Sequence, residues 1–301
     1  MVQISSGLSI NSLIWINSLE PESRGTTERV HDDLQPFCVS IGLPFRSFEP
    51  KTADELLALL AKIAGEAAEG LKPIIHFDTH GSANDGIFIA ASKESVPWQR
   101  LVNSLRPINI ATKNNLCVVS AACCSWEAIK KITVTKPSPF FILVAPEEPV
   151  TFGFIEDNTS RFYEKVFKEL DLVSAHQECF APKLKLFHCE KVLTVALTRY
   201  VRDNCKGKGG KERRENLMTQ YFGETGLPNT RHNRQLIRKT AKATTRPNQK
   251  LIDRYVNTFL VGKRIDFGID KLMTLVAEAS AKREKLTPKV DKVKSPGRSA
   301  T

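Results

Sequence analysis

Two apolar runs of strand length, each ending in a reactive side chain followed by small residues, constrain this chain more than any other feature. One is Pro73-Ile-Ile-His-Phe-Asp-Thr-His80-Gly81, the other Leu116-Cys-Val-Val-Ser-Ala-Ala-Cys123-Cys124-Ser125. Apolar runs of this length without polar alternation suit strands buried on both faces, as in a parallel sheet covered by helices. Such a sheet presents its functional groups at the carboxyl ends of its strands, where His80 and Cys123 fall. A histidine and a cysteine on neighbouring strand ends can meet, and a thiol beside an imidazole is a nucleophile.

The rest of the chain reads as alternating strands and helices. Ser9 to Trp15 is a strand, Glu20-Pro-Glu-Ser opens a polar helix to about Leu34, and Phe45 to Phe48 is a short second strand. Thr52 and Glu55 form a capping box that starts a helix over 56 to 68, and Gly70 stops it. Beyond the His80 strand, a turn over 81 to 86 leads into a short hairpin strand at 87 to 91. Trp98 to Leu105 is helical and Pro107 ends it. Trp126 to Lys131 starts another helix, which would put Cys123 and Cys124 at a helix amino terminus, where a thiolate is favoured and its pKa falls. Phe140 to Ala145 is a third buried strand with Pro146-Glu147-Glu148-Pro149 at its end. An amphipathic helix over 158 to 170, a last strand at Leu184 to Phe187 and a helix over 190 to 202 follow. This alternation defines an α/β fold with a mostly parallel sheet.

Charge divides the chain. The net charge is +11, yet residues 199 to 301 carry 25 Lys and Arg against 10 Asp and Glu, so the remainder is mildly acidic. From Cys205 the character changes: Lys206-Gly-Lys-Gly-Gly-Lys211 reads as a flexible basic linker, 211 to 222 as a charged helix, 223 to 229 as turns, and 249 to 260 and 270 to 285 as amphipathic helices. The expected organisation is a main α/β domain over 1–204, a basic helical region over 205–287 and a disordered tail over 288–301. Seven scattered cysteines without a CxxC point to free thiols in a reducing compartment. Met1 to Leu8 lacks a basic flank and an apolar block, and no run approaches the roughly 18 apolar residues of a membrane span, so a soluble, cytoplasmic protein without a membrane partner is expected.

An apolar strand ending in His-Gly and another ending in Ala-Cys-x-Ser resemble the two motifs of caspase-like cysteine peptidases, and Val118 to Ser125 is similar to the cysteine motif of their CHAT branch. His80 and Cys123 lie 43 residues apart, near the roughly 50 of caspases. The resemblance implies a three-layer caspase-like sandwich and a cysteine endopeptidase. Cys123 would be the nucleophile and His80 the acid–base. The backbone N–H groups of Gly81 and Cys123 would hold the oxyanion, with no third, orienting acid required and no cofactor. It departs from metacaspases at Ala121, where they carry an aspartate, and nothing matches the arginine segment with which caspases hold aspartate. Asp78, Glu147 and Glu148 are the acidic groups near the strand ends, and they imply a pocket for Arg or Lys in a protein substrate. The basic stretch from Lys206 to Arg214 is then a candidate self-cleavage site.

Plainer readings stand beside these. His76, inside its strand, is a core histidine, and Cys124 is the rival nucleophile. His176, Cys179, His188 and Cys189 match no standard zinc spacing, so no metal is expected. The basic region is a solvated surface, or it binds nucleic acid or an acidic protein partner. A non-catalytic interaction module of caspase fold and a nucleic-acid-associated protein are the alternatives to a peptidase.

Overall fold

The computed structural model describes residues 1–181 and 183–286. They fall into two compact units, one of residues 1–193 with 253–265, the other of 194–252 with 266 onward. The break at 204 expected from composition thus lies within the second unit, and the tail expected past 287 lies outside the described residues.

The first unit opens with the hairpin β1 (Val2–Ile4) and β2 (Leu8–Ile10), followed by β3 (Ser12–Ser18), α1 (Pro21–Ser40), β4 (Phe45–Phe48), α2 (Ala53–Ala68) and β5 (Pro73–Thr79). A small antiparallel sheet of β6 (Gly81–Ser82), β7 (Gly86–Ile89) and β8 (Glu94–Val96) leads into α3 (Trp98–Ala111) and β9 (Cys117–Ser120). After a 3-10 turn (Ser125–Lys131) come β10 (Ile142–Pro146), α4 (Phe152–Glu169), α5 (Leu172–Cys179), β11 (Leu184–His188) and the start of α6 (Cys189–Asn204).

The central sheet has the order β11-β10-β9-β5-β3-β4, and all neighbours are parallel except β10 and β11. Every residue of β5, β9 and β10 is buried, as unbroken apolar runs require of strands covered on both faces. The connection through α1 steps toward the β4 edge, whereas those through α2 and α3 step the other way. Right-handed crossovers therefore put α1 on one face and α2 and α3 on the opposite one. The packing agrees: α2 lies against α3, and α1 against α4. The α/β class expected from the sequence is what the chain adopts, with a mixed, mostly parallel sheet between helix layers.

Three local expectations fail for physical reasons. Pro107 does not end α3, which runs to Ala111 because Ile108 and Asn109 are buried at its last turn. Asn109 pins that turn, donating to Asn114 Oδ1 and to the Ser138 carbonyl and accepting from the Leu116 amide. The segment after Cys124 is a 3-10 turn rather than an α-helix, entered from a left-handed Cys124 at φ 60. The supposed linker at 206 to 211 is the beginning of a long helix, α7 (Gly207–Thr225). There a Cβ at Gly209 would collide with the Asp203 carbonyl, so glycine here permits a close helix-to-helix turn and does not mark a flexible strand of chain.

In the second unit α7 is followed by α8 (Arg231–Thr245), which no apolar periodicity announces, then α9 (Gln249–Phe259), which straddles the unit boundary, and α10 (Ile269–Leu286). Met218, Phe222 and Ala241, with Ile237, form the seam between α7 and α8.

Candidate active site

The chain leaves β3 through α1 on one face of the sheet and leaves β5 toward α3 on the other. The carboxyl ends of β3 and β5 thus form the point where connections diverge, and there an open sheet leaves a crevice. The strands pair from Ser12 opposite Pro73 to Ser18 opposite Thr79, so Leu19 and Glu20 emerge beside His80. Glu20 Oε2 lies 2.9 Å from His80 Nε2, both side chains being about 38 to 39% exposed. Glu20 is the N-cap residue of α1, yet its side chain makes no capping hydrogen bond. The sequence signature at Glu20-Pro21 was that of a helix start. Its nearness to His80 follows from β3 and β5 being sheet neighbours, which no local pattern reveals.

β9 pairs with β5 from the other side, Phe77 opposite Ser120, and the Ala121 amide donates to the Phe77 carbonyl. Three residues further on, Cys123 passes over the start of β6. A Cβ on Gly81 would stand 2.5 Å from the Cys123 carbonyl oxygen, so the His-Gly and Cys segments touch backbone to backbone. Gly81 is held by its pairing with Ile87 of β7. The segment before α4 closes the same region: the Val150 carbonyl lies 3.8 Å from Cys123 Sγ, and the Phe152 ring meets the His80 ring edge-on at 5.6 Å.

Cys123 and Cys124 are both partly exposed, while Cys38, Cys117, Cys179 and Cys189 are buried. Burial, with neighbouring Cys123 and Glu127, pushes the Cys124 thiol up, which disfavours its thiolate. The expected lowering at a helix amino terminus therefore does not reach Cys124.

The acidic candidates separate. Asp78 is 2% exposed, in the interior of β5, with hydrogen bonds from Thr27 and Trp15, and burial pushes its carboxyl up to about 7. It belongs to the core beneath α1. Glu147 and Glu148 line a cavity of about 260 Å³ with Pro149, Val150, Lys183 and Lys185. Val150 is shared with the Cys123 contact, so this cavity adjoins the thiol. Glu147 is paired with Lys185, which leaves Glu148 as the carboxylate with no partner among the described residues. A second cavity, of about 200 Å³, lies on the other side at the ends of β3 and β4, lined by Glu20, Glu49, Lys51 and Ala90 among others.

His76 is a core group: it stacks on Trp15 at 3.8 Å, meets the Tyr163 hydroxyl at 2.9 Å, and burial takes its pKa down to about 3. His176 Nε2 lies 2.7 Å from the Leu184 carbonyl, and Cys189 is packed against Asn114. Among the described residues no group of three His, Cys, Asp or Glu side chains could hold a metal ion. Among them, too, no helix is long and apolar enough to cross a membrane.

Comparison with known proteins finds no family model and no curated protein that matches this chain.

Proposed function

We propose that this chain is a cysteine endopeptidase of caspase-like fold, acting through Cys123 and His80 on protein substrates. One observation carries the reading: the backbone contact between Gly81 and Cys123, which joins the ends of two parallel strands that bear an imidazole and an accessible thiol.

In this reading Cys123 Sγ gives its proton to His80 and attacks the scissile carbonyl carbon. The backbone N–H groups of Gly81 and Cys123 stabilise the oxyanion. His80 returns the proton to the leaving amine as the carbon–nitrogen bond breaks, and water then hydrolyses the thioester to release the acid and the thiol. With Glu20 at Nε2, the ring nitrogen that handles the proton is Nδ1. Glu20 thus supplies the orienting acid that the family resemblance did not demand. Glu148 accepts an Arg or Lys side chain of the substrate in the cavity beside Val150.

Cleavage of the chain itself between Lys206 and Arg214 fits less well, because residues 207 to 225 are helical and a peptidase cleft takes an extended backbone. Alkylation tests the nucleophile. Iodoacetamide at near-neutral pH is expected to modify Cys123 first, at a rate that drops on His80→Ala. A thiol no more reactive than free cysteine would instead favour a non-catalytic module.

A further inference from the structure

The second unit gathers positive charge along one seam. α8 contains Arg231, Arg234, Arg238, Lys239 and Lys242 and no Asp or Glu. At 3.6 residues per turn these five share one side of the helix with Gln235 and His232, whereas Ile237 and Ala241 turn toward Met218 and Phe222 of α7. A cleft of about 430 Å³ follows this seam, lined by Lys211, Arg214 and Glu215 of α7 and by Arg238 and Lys242 of α8. Its single carboxylate is already engaged, since Glu215 pairs with both Arg234 and Arg238. Among the described residues no carboxylate pairs with Lys211, Arg214 or Lys242.

The arrangement recurs about one turn earlier, at the amino terminus of α7. A cleft of about 740 Å³ is lined by Arg202, Lys206, Lys208 and Arg283, and its one acid, Asp203, is held by Arg202 and Arg283. Along α7, Lys208, Lys211 and Arg214 recur at every third residue over about 9 Å of helix axis. This is a strip and not a point, which suits a linear polyanion better than a small one.

We propose that this face of α7 and α8 binds the sugar-phosphate backbone of nucleic acid without reading its sequence. Arginine forks and lysine ammonium groups are the donors that phosphodiesters take, and neutralising phosphates releases counterions. An acidic protein partner would need an apolar centre to its interface. The basic arc of α8 has none, and Leu236, exposed to 60%, lies outside it.

The test is fluorescence anisotropy of the full chain with a labelled DNA duplex and a labelled single-stranded RNA, titrated from 50 to 200 mM KCl. Four phosphate contacts on the duplex predict about a hundredfold weakening over that range. Lys211→Gln with Lys242→Gln removes two cations that have no ion-pair partner among the described residues, so the circular dichroism spectrum is expected to stay and the logarithmic salt slope to fall by about 2. Lys62→Gln with Lys93→Gln, in the first unit, leaves binding as in wild type, and so does Cys123→Ala, which separates this surface from the peptidase reading. Three results would overturn the proposal: no binding to either nucleic acid at 50 mM KCl, unchanged binding in the Lys211/Lys242 variant, or polyglutamate displacing the oligonucleotide at equal charge concentration.

Discussion

The Cβ that Gly81 lacks would stand 2.5 Å from the carbonyl oxygen of Cys123 and 3.1 Å from the Cβ of Ala122. Backbone cannot give way there without moving Cys123. Gly81→Ala is therefore expected to destabilise the fold by about 1–3 kcal/mol, as overpacking does, and to cut kcat/KM far more than stability alone explains. Gly65→Ala is the matched control: nothing lies within 4 Å of its Cβ in α2, and it should gain about 0.5–1 kcal/mol with activity intact. Equal activity loss in the two variants would contradict the close approach.

Glu20 pairs with His80, so in the proposed mechanism its effect should appear in turnover. Glu20→Gln keeps the shape and removes the charge. Its kcat is expected to fall about 10- to 100-fold with KM little changed, a part of the 10²–10⁴ that a positioned acid–base contributes. A variant that alters KM alone would place Glu20 in substrate binding instead.

Asp78 links the core to pH. An ordinary carboxyl titrates near 4, and burial raises this one to about 7. The folded state therefore holds the proton more tightly, and the resulting stability is complete below about pH 4 and lost as pH rises through 7. Asp78→Asn cannot lose a proton. The urea midpoint of the variant relative to wild type should climb between pH 4 and 8, by the equivalent of a few kcal/mol at most. A pH-independent difference would show that Asp78 is not held neutral. His76, lowered to about 3 by burial, acts in the opposite sense: its contribution is full above about pH 6.5 and falls as the solution is acidified below that.

Of the two glutamates at the end of β10, Glu147 is already paired with Lys185. Glu148→Gln should thus weaken cleavage after Arg and Lys by about tenfold, the order of one desolvated charge pair, and Glu147→Gln by less. A peptide profile unchanged by Glu148→Gln would remove this cavity from the specificity account.

The scaffold was legible where burial writes an unbroken apolar run. β5, β9 and β10 are of that kind, and their ends locate His80, Cys123 and Glu147. Residues 206 to 211 misled because glycine signals flexibility locally, whereas Gly209 serves a tight approach to the Asp203 carbonyl. α8 escaped notice because its seam with α7 is carried by so few apolar side chains, Ile237 and Ala241. Glu20 could not be found from the sequence at all, since its meeting with His80 depends on β3 and β5 being neighbours while 60 residues separate them.

The central claim, that Cys123 is the nucleophile of a peptidase, is tested most directly by digesting a peptide library with the wild type, Cys123→Ala and Cys124→Ala proteins in parallel. Cleavage by the wild type and by Cys124→Ala, with none by Cys123→Ala, is the predicted result. Cleavage that survives Cys123→Ala, or that none of the three proteins produces, would contradict it.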